Sequence, residues 1–458
     1  MSSSVDPPIG LALQQTPSSE LENSALRKIR WRLIPFLIAL YFAAFIDRVS
    51  MSFAAPQMNR DLGFTDYTYG LAAGLFFIGY CLFEVPSNLL LHRLGARRWI
   101  AGIMVTWSVI AGAMAFVHGA NQLYVLRFLL GIAEAGFFPG VVYYLTAWVP
   151  SNHRARLIGS FMTAIPISTA IGGPISSALL QLDGVLGVAG WRWLLLFETV
   201  PSLVLGLACR AYLRDAPADA TWLTEEERLW LMARLDSQRE PSSAVGEASA
   251  LREPTLLDVL MNRTTLALGL CYFAVELCLY GVVFFAPLIF ASIGVPATQL
   301  GWILLVPYGV AAAGMVVWSR ASDRAGERAG HFAIAALLGF AGVAASAFLG
   351  HSPALAVGAI TVGVLGTLAV LPIFWTLRPR TQGIAAAGTI ALINSIGNIG
   401  GFAGPYAIGW IKSATGSYGL GLLTVATALL LAGIMALLIG EGSRHTALNA
   451  GHSPGGPQ

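Results

Sequence analysis

The sequence is poor in charge. Only 11% of its 458 residues are Asp, Glu, Lys or Arg, against 56% that are hydrophobic, whereas a soluble domain carries roughly 25% charged residues. So few charges cannot clothe a water-facing surface of this size, and lipid is the expected solvent. Cysteine is scarce as well. Cys81, Cys209, Cys271 and Cys278 all lie in apolar runs and read as small packing residues, not as a disulfide or metal framework. No Gly-rich phosphate loop and no His/Cys cluster is present, so the marks of an enzyme are missing, and neither a catalytic residue nor a cofactor is expected. The net charge of +3 and the lack of a basic, aromatic-interleaved patch argue against nucleic acid. A long soluble output domain, which a nutrient sensor would carry, is absent. The first thirty residues hold no apolar core preceded by basic residues, so no cleavable signal peptide is expected.

What the chain does have is apolar length. A bilayer core about 30 Å thick needs roughly 20 apolar residues per helix. Twelve stretches qualify, at about 32–55, 68–91, 98–117, 121–144, 156–180, 191–213, 264–291, 299–319, 331–349, 354–377, 383–411 and 418–440. The expectation is an all-α integral membrane protein of twelve transmembrane helices. Basic residues cluster on one side of these spans. Arg27, Lys28, Arg30, Arg32, Arg93, Arg97, Arg98, Arg154, Arg156, Arg320, Arg324, Arg328, Arg378 and Arg380 fall there, against Arg60, Arg192 and Lys412 on the other. The positive-inside bias then puts both termini in the cytoplasm, in a cytoplasmic (inner) membrane.

The spans fall into two sets of six. An ungapped offset of 231 pairs Tyr41 with Tyr272, Pro56 with Pro287, Gly63 with Gly294, Gly70 with Gly301, Arg93 with Arg324, Gly95 with Gly326, Gly173 with Gly404 and Pro174 with Pro405. Matches at equivalent helix ends imply two six-helix bundles related by pseudo-two-fold symmetry, a known transporter plan. The organisation is then a tail at 1–31, a bundle at 32–213, a linker at 214–263, a second bundle at 264–440 and a tail at 441–458. In the linker, Thr224 with Glu225, Glu226 and Glu227 forms a capping-box pattern. It opens an amphipathic helix through Leu229, Leu231 and Leu235.

Charges inside a span are expensive and usually functional. At 1.5 Å per residue, Asp47 and Arg48 lie roughly 22–24 Å along span one, and Arg127 is roughly 9 Å down span four from the opposite side, at a similar depth. Glu134 is two turns deeper on the same face of span four. The arginines can bind a carboxylate in bidentate fashion, and Asp47 and Glu134 can take up and release protons. A static ion-pair network between spans one and four is the alternative. Tyr41 and Tyr80 fall near mid-membrane, where each suits either a substrate oxygen or a local partner. Glu84 abuts Pro86 and reads as a gate or packing residue. Glu276 lies mid-span in span seven, where a selectivity or proton role competes with a local hydrogen bond. Trp375, near the end of span ten, is either a pocket wall or an interfacial anchor.

The loop His92-Arg93-Leu94-Gly95-Ala96-Arg97-Arg98 and its repeat Asp323-Arg324-Ala325-Gly326-Glu327-Arg328 need Gly for the turn, and their Arg can latch helix ends and carboxylates. The pair resembles the gate loops of the major facilitator superfamily, with His92 where an acid is usual. That resemblance gives Arg93, Gly95, Arg97, Asp323, Arg324, Gly326 and Arg328 a gating role. Asp47-Arg48, Phe83-Glu84-Val85-Pro86-Ser87-Asn88, Arg127 to Gly136, Gly172-Gly173-Pro174 and Asn394 to Phe402 narrow it. From about residue 30 to 440 the chain is similar to the anion:cation symporter family, largely transporters of sugar acids, tartrate and aromatic acids. Phe374 to Arg380 departs from that pattern with two arginines. The resemblance implies Asn394 at the substrate. The expected function is proton-coupled uptake of an organic carboxylate by a monomer, with lipid and protons as its other partners. An exporter or a carrier of a neutral or cationic solute is the alternative within transport.

Overall fold

The computed structural model describes residues 19–150, 153, 157, 161, 164–237, 262–349, 352–377 and 384–450. Arg154, Arg156, Arg378, Arg380, the second half of the linker and the outermost tail residues lie outside this set. The described chain is helical: α1 Ser19–Leu62, α2 Asp66–Leu94, α3 Ala96–Ala113, α4 Ala120–Glu134, α5 Phe137–Trp148, α6 Ala164–Leu180, α7 Gly190–Tyr212, α8 Glu225–Asp236, α9 Arg263–Ser292, α10 Ala297–Ala325, α11 Ala329–Ser346, α12 Pro353–Leu377, α13 Ile384–Thr415 and α14 Tyr418–Ala450. Among the described residues ten helices are long and apolar enough to cross a membrane, with α4 and α5 counted as one, and Ile167–Leu180 is a shorter apolar helix. The stretch expected at 383–411 is α13.

The first helix is longer than expected. Its 44 residues span about 66 Å, twice a bilayer core, so its first turns project beyond the apolar layer. They dock on the linker. Lys28 Nζ donates to Glu227 Oε2 at 2.7 Å and Ser24 Oγ to Glu227 Oε1 at 2.8 Å. The Arg32 guanidinium lies 5.6 Å from the Trp222 ring, which stacks on Trp148 at 5.5 Å. The Thr224–Glu227 capping box forms as the sequence indicates. Leu231 and Leu235 are buried, but Leu229 is exposed. At 100° per residue Leu229 and Leu231 cannot share one face, so the apolar stripe is narrower than expected.

Gly95 and Gly326 make the turns expected of them. Gly95 at φ 81° joins α2 to α3, and Gly326 at φ 66° ends α10, conformations that a Cβ would strain. Close helix approach explains other motif glycines. A Cβ at Gly131 would sit 1.9 Å from the Phe76 carbonyl oxygen, and one at Gly79 would sit 2.3 Å from that of Phe128, so α2 and α4 meet backbone to backbone. The span after Arg127 breaks at Ala135–Gly136. A Cβ at Gly136 would sit 1.9 Å from Ser87 Oγ.

Helices from the two sequence halves meet tightly at one end. A Cβ at Gly301 of α10 would lie 1.7 Å from the Gly173 carbonyl oxygen of α6, and one at Gly409 of α13 would lie 2.4 Å from that of Asp66. Gly301 N donates to Ser177 Oγ at 2.8 Å, Tyr69 Oη to the Phe284 carbonyl at 2.8 Å and Tyr418 Oη to Asp66 Oδ1 at 2.8 Å. At the opposite end each of the two Arg-rich loops bonds within its own half. Arg97 donates to the Arg210 carbonyl, at 2.7 Å from Nε, and its backbone N–H to Asp215 Oδ1 at 3.1 Å. Arg328 Nη1 donates to Asp323 Oδ1 at 2.5 Å. Glu327 accepts from the Gly330 N–H at 2.7 Å and from His331, and the Gly330 bond leads in holding its carboxyl below the usual range. Arg93 and Arg324 are exposed.

Candidate functional site

The candidate site is built around Arg48 of α1. Its Nη2 donates to Glu134 Oε1, and Nη1 donates to Tyr280 Oη of α9 at 3.2 Å. The guanidinium also lies over Phe45, Phe76 and Tyr80, 5.1–5.8 Å from the ring centroids. Delocalised charge over aromatic faces is an arrangement suited to arginine. The side chain is 12% exposed, and that of Glu134 is 5% exposed. Arg48 Nε is buried with no partner among the described residues, so a donor remains for an anion.

Glu134 sits at the last turn of α4, just before the break, which ends the helix where the carboxylate reaches α1. Arg127, two turns earlier, does not pair with it. Arg127 is fully buried and donates from Nε and Nη2 to the Ala72 and Ala73 carbonyls of α2, both at 3.3 Å. Phe76 lies 5.0 Å from its guanidinium and Phe284 5.6 Å. Its Nη1 is buried without a partner among the described residues. The arginine in direct contact with the acid is therefore Arg48.

Asp47, the neighbour of Arg48 in sequence, faces elsewhere. Successive residues point about 100° apart on a helix, and Asp47 Oδ2 accepts from Trp107 Nε1 of α3 at 3.0 Å and from Ser202 Oγ of α7. It belongs to a compartment behind α1.

The remaining candidates come from both halves. Glu276 of α9 is buried, interacts with Tyr272 one turn before it and lies within the field of Arg48. Trp375 of α12 packs edge-on against Tyr272 with ring centroids 5.2 Å apart. Tyr41 stacks on Phe161 at 4.6 Å, and Tyr80 is covered by Arg48 and Phe76. Asn394 Nδ2 of α13 donates to Glu84 Oε1 of α2 at 2.8 Å, bridging the halves. Among the described residues no His/Cys/Asp/Glu group could hold a metal.

Tyr280 was not singled out from the sequence, although Tyr272, Glu276 and Tyr280 recur every four residues and share one helix face. Phe76 stands in the same way one turn before Tyr80. Glu198, an acid inside the apolar run 191–213, was also not singled out, and its depth was the available signal.

A family model described as Major Facilitator Superfamily matches residues 37–405. A protein of Agrobacterium vitis, named provisionally as a tartrate transporter, is 46% identical over 427 residues, 93% of each chain. A quinolone resistance transporter of Acinetobacter baumannii is 38% identical over 92% of this chain and 96% of its own. Among solved structures, a bacterial homolog of the human lysosomal transporter Spinster, inward-facing and unoccupied, superposes with a TM-score of 0.73 at 18% identity, covering 90% of this chain and 97% of that one.

Proposed function

Because this chain belongs to the Major Facilitator Superfamily, as a transporter of the anion:cation symporter type, we propose that it takes up an organic carboxylate by proton symport across a cytoplasmic membrane. The proposal includes twelve spans in two pseudo-symmetric bundles, with both termini cytoplasmic. The observation that carries it is the buried Arg48–Glu134 pair, completed across the halves by Tyr280. A substrate carboxylate entering this cage competes with Glu134 for the guanidinium. An acid that loses its cationic partner in a dry site favours its neutral form, so anion binding and proton binding support one another. Glu134 and Asp47 are the proton carriers in this reading, and Glu276 can act on the facing side.

With the termini inside, the end at which Gly173 meets Gly301 is the outer one. The outer path is then closed, and the gate loops, bonded within their own halves, do not tie the inner end, where the Glu84–Asn394 bond is a link that opening breaks. Binding of both ligands lets the halves rock about the site, which is alternating access. The relative named provisionally for tartrate supports a hydroxy-dicarboxylic acid as the first substrate to try. The quinolone resistance relative supports the second reading, export of a larger solute.

Reconstituted protein with an imposed inward proton gradient tests this. Accumulation of tartrate, a sugar acid or an aromatic acid, abolished by a protonophore, is the expected result. Failure of every organic anion, with outward movement of a quinolone instead, would replace the first reading by the second.

A further inference from the structure

Behind α1 lies a second acidic site that the Arg48 cage does not use. Glu198 of α7 is 4% exposed, as is Asp47. Its Oε1 accepts from Ser176 Oγ of α6 at 2.6 Å. Ser202, which donates to Asp47 Oδ2, stands one turn beyond Glu198 on α7, so the same helix face presents both groups to α1. The charge of Asp47 acts on Glu198. Two atoms of this compartment, Asp47 Oδ1 and Glu198 Oε2, are buried with no partner among the described residues. Among the described residues the donors here are neutral: Trp107 from α3, Ser202 from α7 itself and Ser176 from α6. Among the described residues the charge of Asp47 acts on Glu198, and that of Glu134 acts on Asp47.

Two negative charges in a dry compartment with only neutral donors repel each other, and each lacks the cation that a buried carboxylate needs. A proton on one of the two relieves both costs, and the pair then titrates as a unit. We propose that the coupling proton assigned above to Asp47 is held by Asp47 and Glu198 as a pair, on the side of α1 turned away from the Arg48 guanidinium, in addition to the one at Glu134. The inference rests on the symport reading for its role in transport. The proton enters at the unpartnered oxygens, Asp47 Oδ1 or Glu198 Oε2, and leaves from them to water on the cytoplasmic side. No other bond changes. Because Asp47 is adjacent in sequence to Arg48, a small rotation of α1 on anion binding moves both sites together.

The experiment counts protons. Proteoliposomes holding a pH-sensitive dye are given radiolabelled tartrate, and proton and tartrate entry are measured together. Glu198→Gln is expected to move one proton fewer per tartrate than the unmodified protein while tartrate counterflow persists. An unchanged ratio overturns the inference. Infrared spectra of the resting protein at neutral pH supply an arm that needs no transport. A protonated-carboxyl band is expected, shifted in Ser176→Ala and diminished in Asp47→Asn. Absence of that band, or its insensitivity to both changes, overturns the pair even if Glu198→Gln does not fold. If the unmodified protein moves tartrate without protons, the symport reading fails, and the infrared arm still decides whether the pair holds a proton.

Discussion

The guanidinium groups of Arg48 and Arg127 share one aromatic ring, that of Phe76, at 5.1 and 5.0 Å from its centroid. They differ in what else they hold. Arg48 meets Glu134 and Tyr280, whereas Arg127 is spent on two carbonyls of α2. Two charges at one depth thus have different consequences when removed. Arg48→Gln is predicted to abolish anion binding measured by calorimetry with little change in melting temperature. Arg127→Gln is predicted to destabilise as well, by about 1–3 kcal/mol, because buried carbonyls lose charged donors. A native melting curve for Arg127→Gln would contradict this placement.

Glu134→Gln mimics the protonated acid and leaves Arg48 available. The prediction is that counterflow of the preferred anion survives while accumulation driven by a proton gradient is lost. Both assays are run on one preparation. Continued accumulation against a gradient would make Glu134 structural and direct attention to Glu276.

The linker clasp offers a pH test outside the membrane. Burial pushes the Glu227 carboxyl up, but Lys28, the Thr224 backbone N–H and Ser24 together outweigh it and hold it below the usual range. A depressed folded value means that the stabilisation is present above the unfolded value, near 4.3, and fades as pH falls through the folded one. Glu227→Gln is therefore predicted to lower the melting temperature at pH 7, and the difference from the unmodified protein should shrink in acid. A difference constant from pH 7 to pH 3 would rule out the ionic clasp.

Orientation is tested by labelling. Ser237 at the end of α8 and Leu186 in the turn before α7 are both exposed. Ser237→Cys should react with an impermeant maleimide only from the cytoplasmic side and Leu186→Cys only from outside. Reversal at both positions would invert the topology.

Sequence alone determined the helical membrane class, the positions of the apolar stretches, the glycine turns at Gly95 and Gly326 and the capping box at Thr224. Each is local: apolar length, a φ above zero that favours glycine, a hydrogen bond spanning three residues. It also marked Arg48, Arg127, Glu134 and Glu276, because a charge in an apolar run is conspicuous wherever it points. Tertiary structure decided which of these groups meet. Asp47 and Arg48 are consecutive, yet the helix sends one to Trp107 and Ser202 and the other to Glu134 and Tyr280. Arg127 and Glu134 share a helix face in the one-dimensional reading, but the close approach of α2 at Gly131 presents backbone carbonyls to Arg127 first. Depth and facing direction follow from the chain's own period. Partnership depends on how near a second helix comes, and that is set by side-chain volumes on both surfaces at once.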